Sequence, residues 1–311
     1  MTDLSRPEIA LPLLLGGLLV LAASSTMWAG VVRRLIRREP VLAYEPRRPV
    51  PWQGIDLLLV VLFALVAAGS VASLGRHLFP ADSPAKRSQG TKLSTEHRVV
   101  VLLQEDRSLA TLGWCIAAAV LVAPVAEEVF FRLLLQGWLE AIERRWRREL
   151  RFSRGALRGA LPVLYSSLLF ALLHSRESGP APSPRTILHM VVCGMMANLA
   201  TLVFALALVR YRAGATRADL GFVAEKFWQD VRLGLGVALL VVPWVYLLQM
   251  ILMEVLPRNV APDPYTLVPF AAALGALYYR THRVVASIVL HMALNATSLA
   301  IAWLLLAGGS S

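Results

Sequence analysis

The chain has 311 residues, of which 57% are hydrophobic and only 16% charged, and its mean hydropathy is +0.61. Soluble domains carry about 45–50% apolar and roughly 25% charged residues, so a soluble enzyme, a secreted disulfide scaffold and a disordered chain are all disfavoured. The net charge of +11 does not signal nucleic acid, because the basic residues flank apolar runs and no base-reading motif accompanies them. The only cysteines, Cys115 and Cys193, lie inside apolar runs and read as small buried hydrophobes.

Eight apolar segments follow one another along the chain: about 10–32, 55–75, 109–139, 161–175, 187–209, 233–256, 266–279 and 284–307. A membrane-spanning helix needs about 20 apolar residues. The expected fold is therefore all-α, a polytopic membrane helix bundle of about eight transmembrane helices. Segments 161–175 and 266–279 are short for a span and should be tilted, re-entrant or shielded by neighbours. The first segment is preceded by Asp3, Arg6 and Glu8, a poor basic leader, and ends in Arg33-Arg34, so it reads as a retained helix rather than a signal peptide. Residues 1–108 form an N-terminal membrane region of two helices and an extracytoplasmic loop. Residues 109–311 form a second membrane region that carries the chemistry, with an inserted helical unit at about 187–256.

Alternation across eight spans divides the loops into two sets. Loops 33–52, 140–160, 210–232 and 280–283 hold 20 of the 31 Lys and Arg residues, against 10 in the opposite set. This bias predicts that the Arg-rich loops are cytoplasmic and both termini outside. The stretch 140–158 continues the third helix into the headgroup region, with Trp138 and Trp146 as interface anchors.

An ionisable side chain at membrane depth costs at least about 2.5–3.5 kcal/mol, so each one needs a reason. The spans contain Glu127, Glu128, Arg132, His174, His189, Asn198, Glu254, His291 and Asn295. Glu128 and Arg132 are four apart and can neutralise each other on one helix face. Glu127 projects about 100° away from that pair. Phe170 and His174, and likewise His291 and Asn295, share helix faces at the same spacing, and Ser287 extends the last stripe by one turn. Each motif alone is matched by a structural reading, as an ion network, a satisfied histidine or polar glue between helices. Together they are the inventory of a hydrolytic site: a carboxylate and imidazole that deprotonate water, and donors for an oxyanion.

These residues resemble the CPBP family of intramembrane proteases, also called the Abi or type II CAAX prenyl endopeptidase family. Its pattern of Glu-Glu-x-x-x-Arg, Phe-x-x-x-His and His-x-x-x-Asn or Asp reads here as Glu127-Glu128-Val-Phe-Phe-Arg132, Phe170-Ala-Leu-Leu-His174 and His291-Met-Ala-Leu-Asn295. The similarity covers roughly 111–175 and 266–299. It implies that Glu127 is the catalytic glutamate and activates water with His174, that Glu128 and Arg132 form a structural ion pair, and that His291 and Asn295 stand on the oxyanion side. Members are often called metalloproteases; if zinc is bound, Glu127, His174 and His291 are the ligand types on hand. No His-Glu-x-x-His helix supports zinc, and a metal-free glutamate mechanism is the preferred reading. The 117 residues from His174 to His291 depart from the expected pattern and contain two extra spans. The stretch Arg217-Ala-Asp219-Leu-Gly221-Phe between them looks like text expected upstream of the glutamates. His189 and Asn198 fall in this insert and read as structural.

The expected function is an intramembrane endopeptidase acting on a membrane-proximal or CAAX-like peptide. Its partners are that membrane-anchored substrate and the lipid bilayer, not nucleic acid. The expected location is integral and multi-pass in a bacterial inner membrane. Two rivals stand beside it: a proton-coupled transporter or scaffold using buried Glu and His as a relay, and a haem protein with His174 and His291 as axial ligands.

Overall fold

The computed structural model describes residues 7–78, 93–94, 98–149, 159–174, 179–180, 183–257 and 262–307. Asp3 and Arg6, the 79–92 part of the extracytoplasmic loop and the 150–158 part of the second Arg-rich loop lie outside the described residues. In chain order come α1 (Pro7–Ile36), α2 (Gly54–Leu78) and the short α3 (Arg98–Glu105). A continuous rod over 109–149 follows, in which α4 (Leu109–Cys115), α5 (Ala123–Glu128) and α6 (Gly137–Glu149) are joined by π-helical stretches at Ile116–Val122 and Val129–Gln136. The chain ends with α7 (Ala160–Leu173), α8 (Pro184–Tyr211), α9 (Phe227–Val255), α10 (Asp263–Thr281) and α11 (Val284–Ala307). Two-residue segments, β1 (Leu93–Ser94) and β2 (Gly179–Pro180), pair antiparallel.

Each of the eight apolar segments falls on helix, and the protein is all-α and integral to the membrane, crossing it several times. Among the described residues six helices are long and apolar enough to span: Leu15–Ile36, Gly54–His77, Leu109–Arg147, Pro184–Tyr211, Ala224–Val255 and Val284–Leu306. The two remaining segments are the short ones. At 1.5 Å per residue, the 14-residue α7 reaches only about 21 Å.

The chain divides into two compact units. The first comprises 1–52, 128–175 and 215–294, and the second 53–127, 176–214 and 295–311. In the first, α7 packs along α10, and α9 packs on both α10 and α1. Gly275 permits the α7 contact, because a Cβ there would come 3.0 Å from Val163 Cγ1 and 3.0 Å from Gln136 Oε1. Eight residues of α10 are buried, from Thr266 to Thr281, so the short tenth helix is shielded by its neighbours. Leu161, Leu164, Leu168 and Leu172 leave an apolar exposed face on α7, as lipid contact requires. The α1–α9 contact is fixed by donors from α1 to one carbonyl: Ser24 Oγ and Trp28 Nε1 both bond Leu240 O, at 3.0 and 2.8 Å.

In the second unit α2 lies along α8, which also packs on the first π-helical stretch. Phe63 and Phe204 stack at 4.1 Å between centroids, 6° from parallel. His189 occupies the notch left by Gly75, where a Cβ would come 2.0 Å from its Nε2, and the same nitrogen meets Cys193 Sγ at 3.1 Å. His189 thus packs between two helices, the structural part expected of it.

The first π-helical stretch has a covalent cause. Proline lacks an N–H and crowds the carbonyl four residues back, which a helix absorbs by widening. Pro124 stands just past this stretch, and the Ala123 N–H reaches back five residues to Ala118 O.

The segment between α1 and α2 is a strap across the ends of several helices of the first unit. Its Glu45 N–H donates to Arg280 O at 2.8 Å, and Tyr44 packs on Tyr279 and His282 at 5.4 and 5.5 Å. Arg47 Nη1 donates to Tyr278 Oη at 2.6 Å, while its own carbonyl accepts from Arg144. Arg48 forks onto Asp219, and Trp52 is buried with Nε1 on Leu134 O at 3.0 Å. Asp219 is buried, which by itself raises a carboxyl, yet the Arg48 and Thr216 donors prevail and hold it well below the usual carboxylate range. A depressed carboxylate stabilises the fold above its unfolded value of about 3.9 and loses that contribution only on acidification below it. Residue 221 adopts φ +69, and a Cβ there would come 2.8 Å from His282 O, so only glycine lets this turn pass under the α10–α11 corner.

The strap therefore brings the described first-unit parts of the four Arg-rich loops to one end of that unit. Single cysteines at the exposed positions Arg145 and Arg217 are expected to react with a membrane-impermeant maleimide from the same side of the membrane. Labelling from opposite sides contradicts this arrangement.

Candidate active site

The glutamate motif sits where α5 passes into the second π-helical stretch. The tightest part of the site is a buried ion pair with a branch at each end. Arg132 Nε donates to Glu128 Oε2 at 3.2 Å, and neither side chain is exposed to solvent. The other carboxylate oxygen, Glu128 Oε1, lies 3.1 Å from His291 Nδ1. At the other end Arg132 Nη1 donates to Ser166 Oγ at 2.6 Å, and the guanidinium lies 5.4 Å from the centre of the Phe170 ring. The sequence predicted the Glu128–Arg132 contact. It did not predict His291 and Ser166 as further partners.

These contacts fix a tautomer. A carboxylate paired with arginine is ionised and can only accept, so His291 Nδ1 carries the proton donated to Glu128. His291 is 4% exposed and lies between Phe170 and Phe270, each 5.6 Å away between ring centroids. Such packing leaves the imidazole little rotational freedom.

His174 caps α7. Its Nδ1 lies 2.7 Å from Phe170 O, one of the helix-terminal carbonyls that lack an intrahelical partner. A carbonyl can only accept, so Nδ1 is the donor and Nε2 of the neutral ring is the basic nitrogen. The imidazole stacks on Phe170 at 4.3 Å. Phe170 thus carries His174 on its own helix, touches His291 across to α11 and covers Arg132.

A second tier extends the ion pair along the rod. Ser166 Oγ reaches Gln136 Oε1 at 3.4 Å, and Gln136 Nε2 donates to Glu140 Oε1 at 3.1 Å and to Gly275 O at 2.9 Å. Buried polar groups in the first unit therefore form a continuous chain from His291 through Glu128, Arg132, Ser166 and Gln136 to Glu140. Ser166 and Gln136 were not among the expected site residues, although both lie on the same stripes at four-residue spacing.

The remaining two expected residues belong to the second unit. Glu127 is half-buried at the end of α5. Asn295 Nδ2 donates to Ala119 O at 2.7 Å. Pro124 explains that bond: Ala123 N–H is used by Ala118 O, and the next residue has no N–H to offer Ala119. The carboxamide of α11 supplies the missing donor and keeps one N–H in reserve.

Among the described residues no group of three or more His, Cys, Asp or Glu side chains comes together that could hold a metal ion. Within the first unit, both Glu128 oxygens already meet partners, Arg132 and His291.

The family model described as Type II CAAX prenyl endopeptidase Rce1-like matches residues 109–297. No curated protein and no solved structure matches the chain. The match covers more than half of the sequence and contains all three motifs, and the chain belongs to this Rce1-like family of membrane proteases.

Removing one member of a buried ion pair strands the other charge, at a cost of about 3–5 kcal/mol. Glu128→Gln and Arg132→Met are each expected to lower thermal stability by that order. Ser166→Ala leaves the ion pair intact and is expected to cost about 1–3 kcal/mol. Swapping the charges, Glu128→Arg with Arg132→Glu, is not expected to recover stability, because the new arginine faces His291. Melting curves of the four purified variants check the order, and a fully stable Glu128→Gln contradicts it.

Proposed function

We propose that the chain is an intramembrane endopeptidase that hydrolyses a membrane-proximal or CAAX-like peptide bond by glutamate- and histidine-activated water. The observation that carries this is the Glu128–Arg132–His291 cluster, sealed from solvent at motif positions of a protease family. Membership of that family also favours hydrolysis over the transporter and haem readings.

In this reading Glu127, with His174 Nε2, takes a proton from water. The resulting hydroxide forms a bond to the scissile carbonyl carbon, and the carbonyl π electrons move onto oxygen. Asn295 donates its remaining N–H to the oxyanion, and His291, oriented by its Nδ1–H on Glu128, stands on the same side. Collapse of the tetrahedral intermediate breaks the C–N bond, and the proton held by Glu127 passes to the leaving amine. Glu128 and Arg132 act through His291 as positioning residues. The preferred chemistry is metal-free, and the Arg-rich loops are assigned to the cytoplasmic side of a bacterial inner membrane.

A second reading follows from one distance. Glu128 Oε1 lies 3.1 Å from His291 Nδ1, so Glu128 can itself form the carboxylate–imidazole pair of the site, with Glu127 in the supporting part.

Cleavage of a library of membrane peptides by wild type and two variants distinguishes them. Glu127→Gln is expected to fold and insert normally and to lose about 10²–10⁴-fold in turnover, the usual contribution of a general base. Wild-type turnover by Glu127→Gln, beside a folded but inactive Glu128→Gln, would assign the base to Glu128 instead. Activity is also expected to survive chelation. Stoichiometric zinc whose removal abolishes turnover and whose return restores it overturns the metal-free reading.

A further inference from the structure

We infer that Asn198 of α8 is a substrate-binding residue, whose carboxamide pairs with a backbone peptide group of a membrane peptide seated in the second unit. On the endopeptidase reading, that peptide is the substrate.

Three sides of α8 can be told apart at about 100° per residue. His189 in the Gly75 notch, Cys193 at Val71 O and Phe204 on Phe63 mark the side against α2. Met196, Leu199 and Val203, exposed by 50%, 37% and 66%, mark the lipid side. Ile187, Ala205 and Val209 mark a third side and are at most 3% exposed. Asn198 stands on this third side, within about 20° of all three. Besides α2, α8 packs on α3, α4 and the first π-helical stretch, so the third side is turned toward them. Its two ends are closed, yet its middle is open. Asn198 is only half-buried, and Gly194 one turn earlier is exposed, with no neighbouring atom within 4 Å of where a Cβ would lie.

The opening lies at the depth of the proposed chemistry. Asn198, Asn295 and Glu127 each stand within one residue of the middle of their spans, Pro184–Tyr211, Val284–Leu306 and Leu109–Arg147. All three belong to the second unit. Asn295 bonds Ala119 O on the same π-helical stretch that α8 packs against. The Asn198 carboxamide makes no hydrogen bond among the described residues. The structural part expected of it requires a partner, and an amide without one at this depth is unfavourable.

A carboxamide offers one donor group and one acceptor, as a peptide group does. An extended peptide at mid-depth has both of its own groups unmet. An acyl chain supplies neither, and head groups lie about 15 Å away, half the hydrocarbon thickness. A second copy of the chain would approach from the lipid side, about 100–160° round the helix.

The test uses the full chain in neutral detergent, with the library of membrane peptides as probe. Wild type and Asn198→Leu are compared for cleavage. Glu127→Gln, with and without Asn198→Leu, is compared for peptide retention by native mass spectrometry. Asn198→Leu is expected to raise KM about fivefold, with kcat changed less than twofold, and to weaken retention by the same factor. Its melting temperature is expected to be unchanged or raised, because no hydrogen bond is lost. Asn198-dependent retention in a protein that cleaves nothing supports the site and removes the endopeptidase reading. Cleavage with KM and retention untouched by Asn198→Leu leaves that reading standing and overturns the inference. A lowered melting temperature with retention unchanged, or conversion of a dimer to a monomer with retention unchanged, overturns it as well, the first by making Asn198 structural and the second by giving it to a second copy.

Discussion

An arginine and a glutamate share an interior from which solvent is excluded, and the arrangement around them follows from keeping both charged. Desolvating two ions costs several kcal/mol each, and their mutual attraction offsets this only where the remaining donors and acceptors are also used. Arg132 therefore calls for Ser166 on α7 and the face of Phe170, while Glu128 calls for His291 on α11. Three helices of the first unit are tied to one charge pair. The histidine gains a fixed tautomer from the same contact, so what stabilises the bundle also orients the ring. Buried networks of this kind tolerate little partial satisfaction, which accounts for the second tier through Gln136 to Glu140 and Gly275.

Much of this was legible as a four-residue rhythm. Glu128, Arg132, Gln136 and Glu140 recur along the rod, Ser166, Phe170 and His174 along α7, and Ser287, His291 and Asn295 along α11. Each series keeps one helix face polar where lipid or packed apolar side chains would otherwise be the rule. Sequence found the charged members because ions at membrane depth are conspicuous, and passed over Ser166 and Gln136 because serine and glutamine in a helix are not. The cross-helix partners were out of reach, since nothing in a stripe says which other stripe it faces. The π-helical register was also hidden, although Pro124 was in plain view. Its consequence at Ala119 is felt by a residue 176 positions away in the chain.

The Arg-rich loops show how one composition serves two ends. Read as a count, they set an orientation in the membrane. In the structure several of the same residues make directed contacts: Arg48 with Asp219, Arg144 with the strap backbone, Arg283 with Glu45 and with Asp230 at 2.8 Å. Exposed ion pairs are worth little singly, but here one partner of each is buried or tied to backbone. The strap they hold is an irregular segment with no helix of its own, and its position rests on those side chains and on Trp52.

The shortness of α7 has a bearing on the lipid around the molecule. A hydrocarbon layer is about 30 Å thick, and a 14-residue helix covers about 21 Å of it. The leucines on the outer face of α7 are bare, so the acyl chains beside it meet about 21 Å of described helix against about 30 Å of hydrocarbon. Lipids meet such a mismatch by shortening locally, which lowers the barrier to water and head groups there. His174 stands at the end of that helix. Its depth is set by where α7 stops, and in the proposed function a thinned annulus shortens the path of a polar peptide bond to the imidazole.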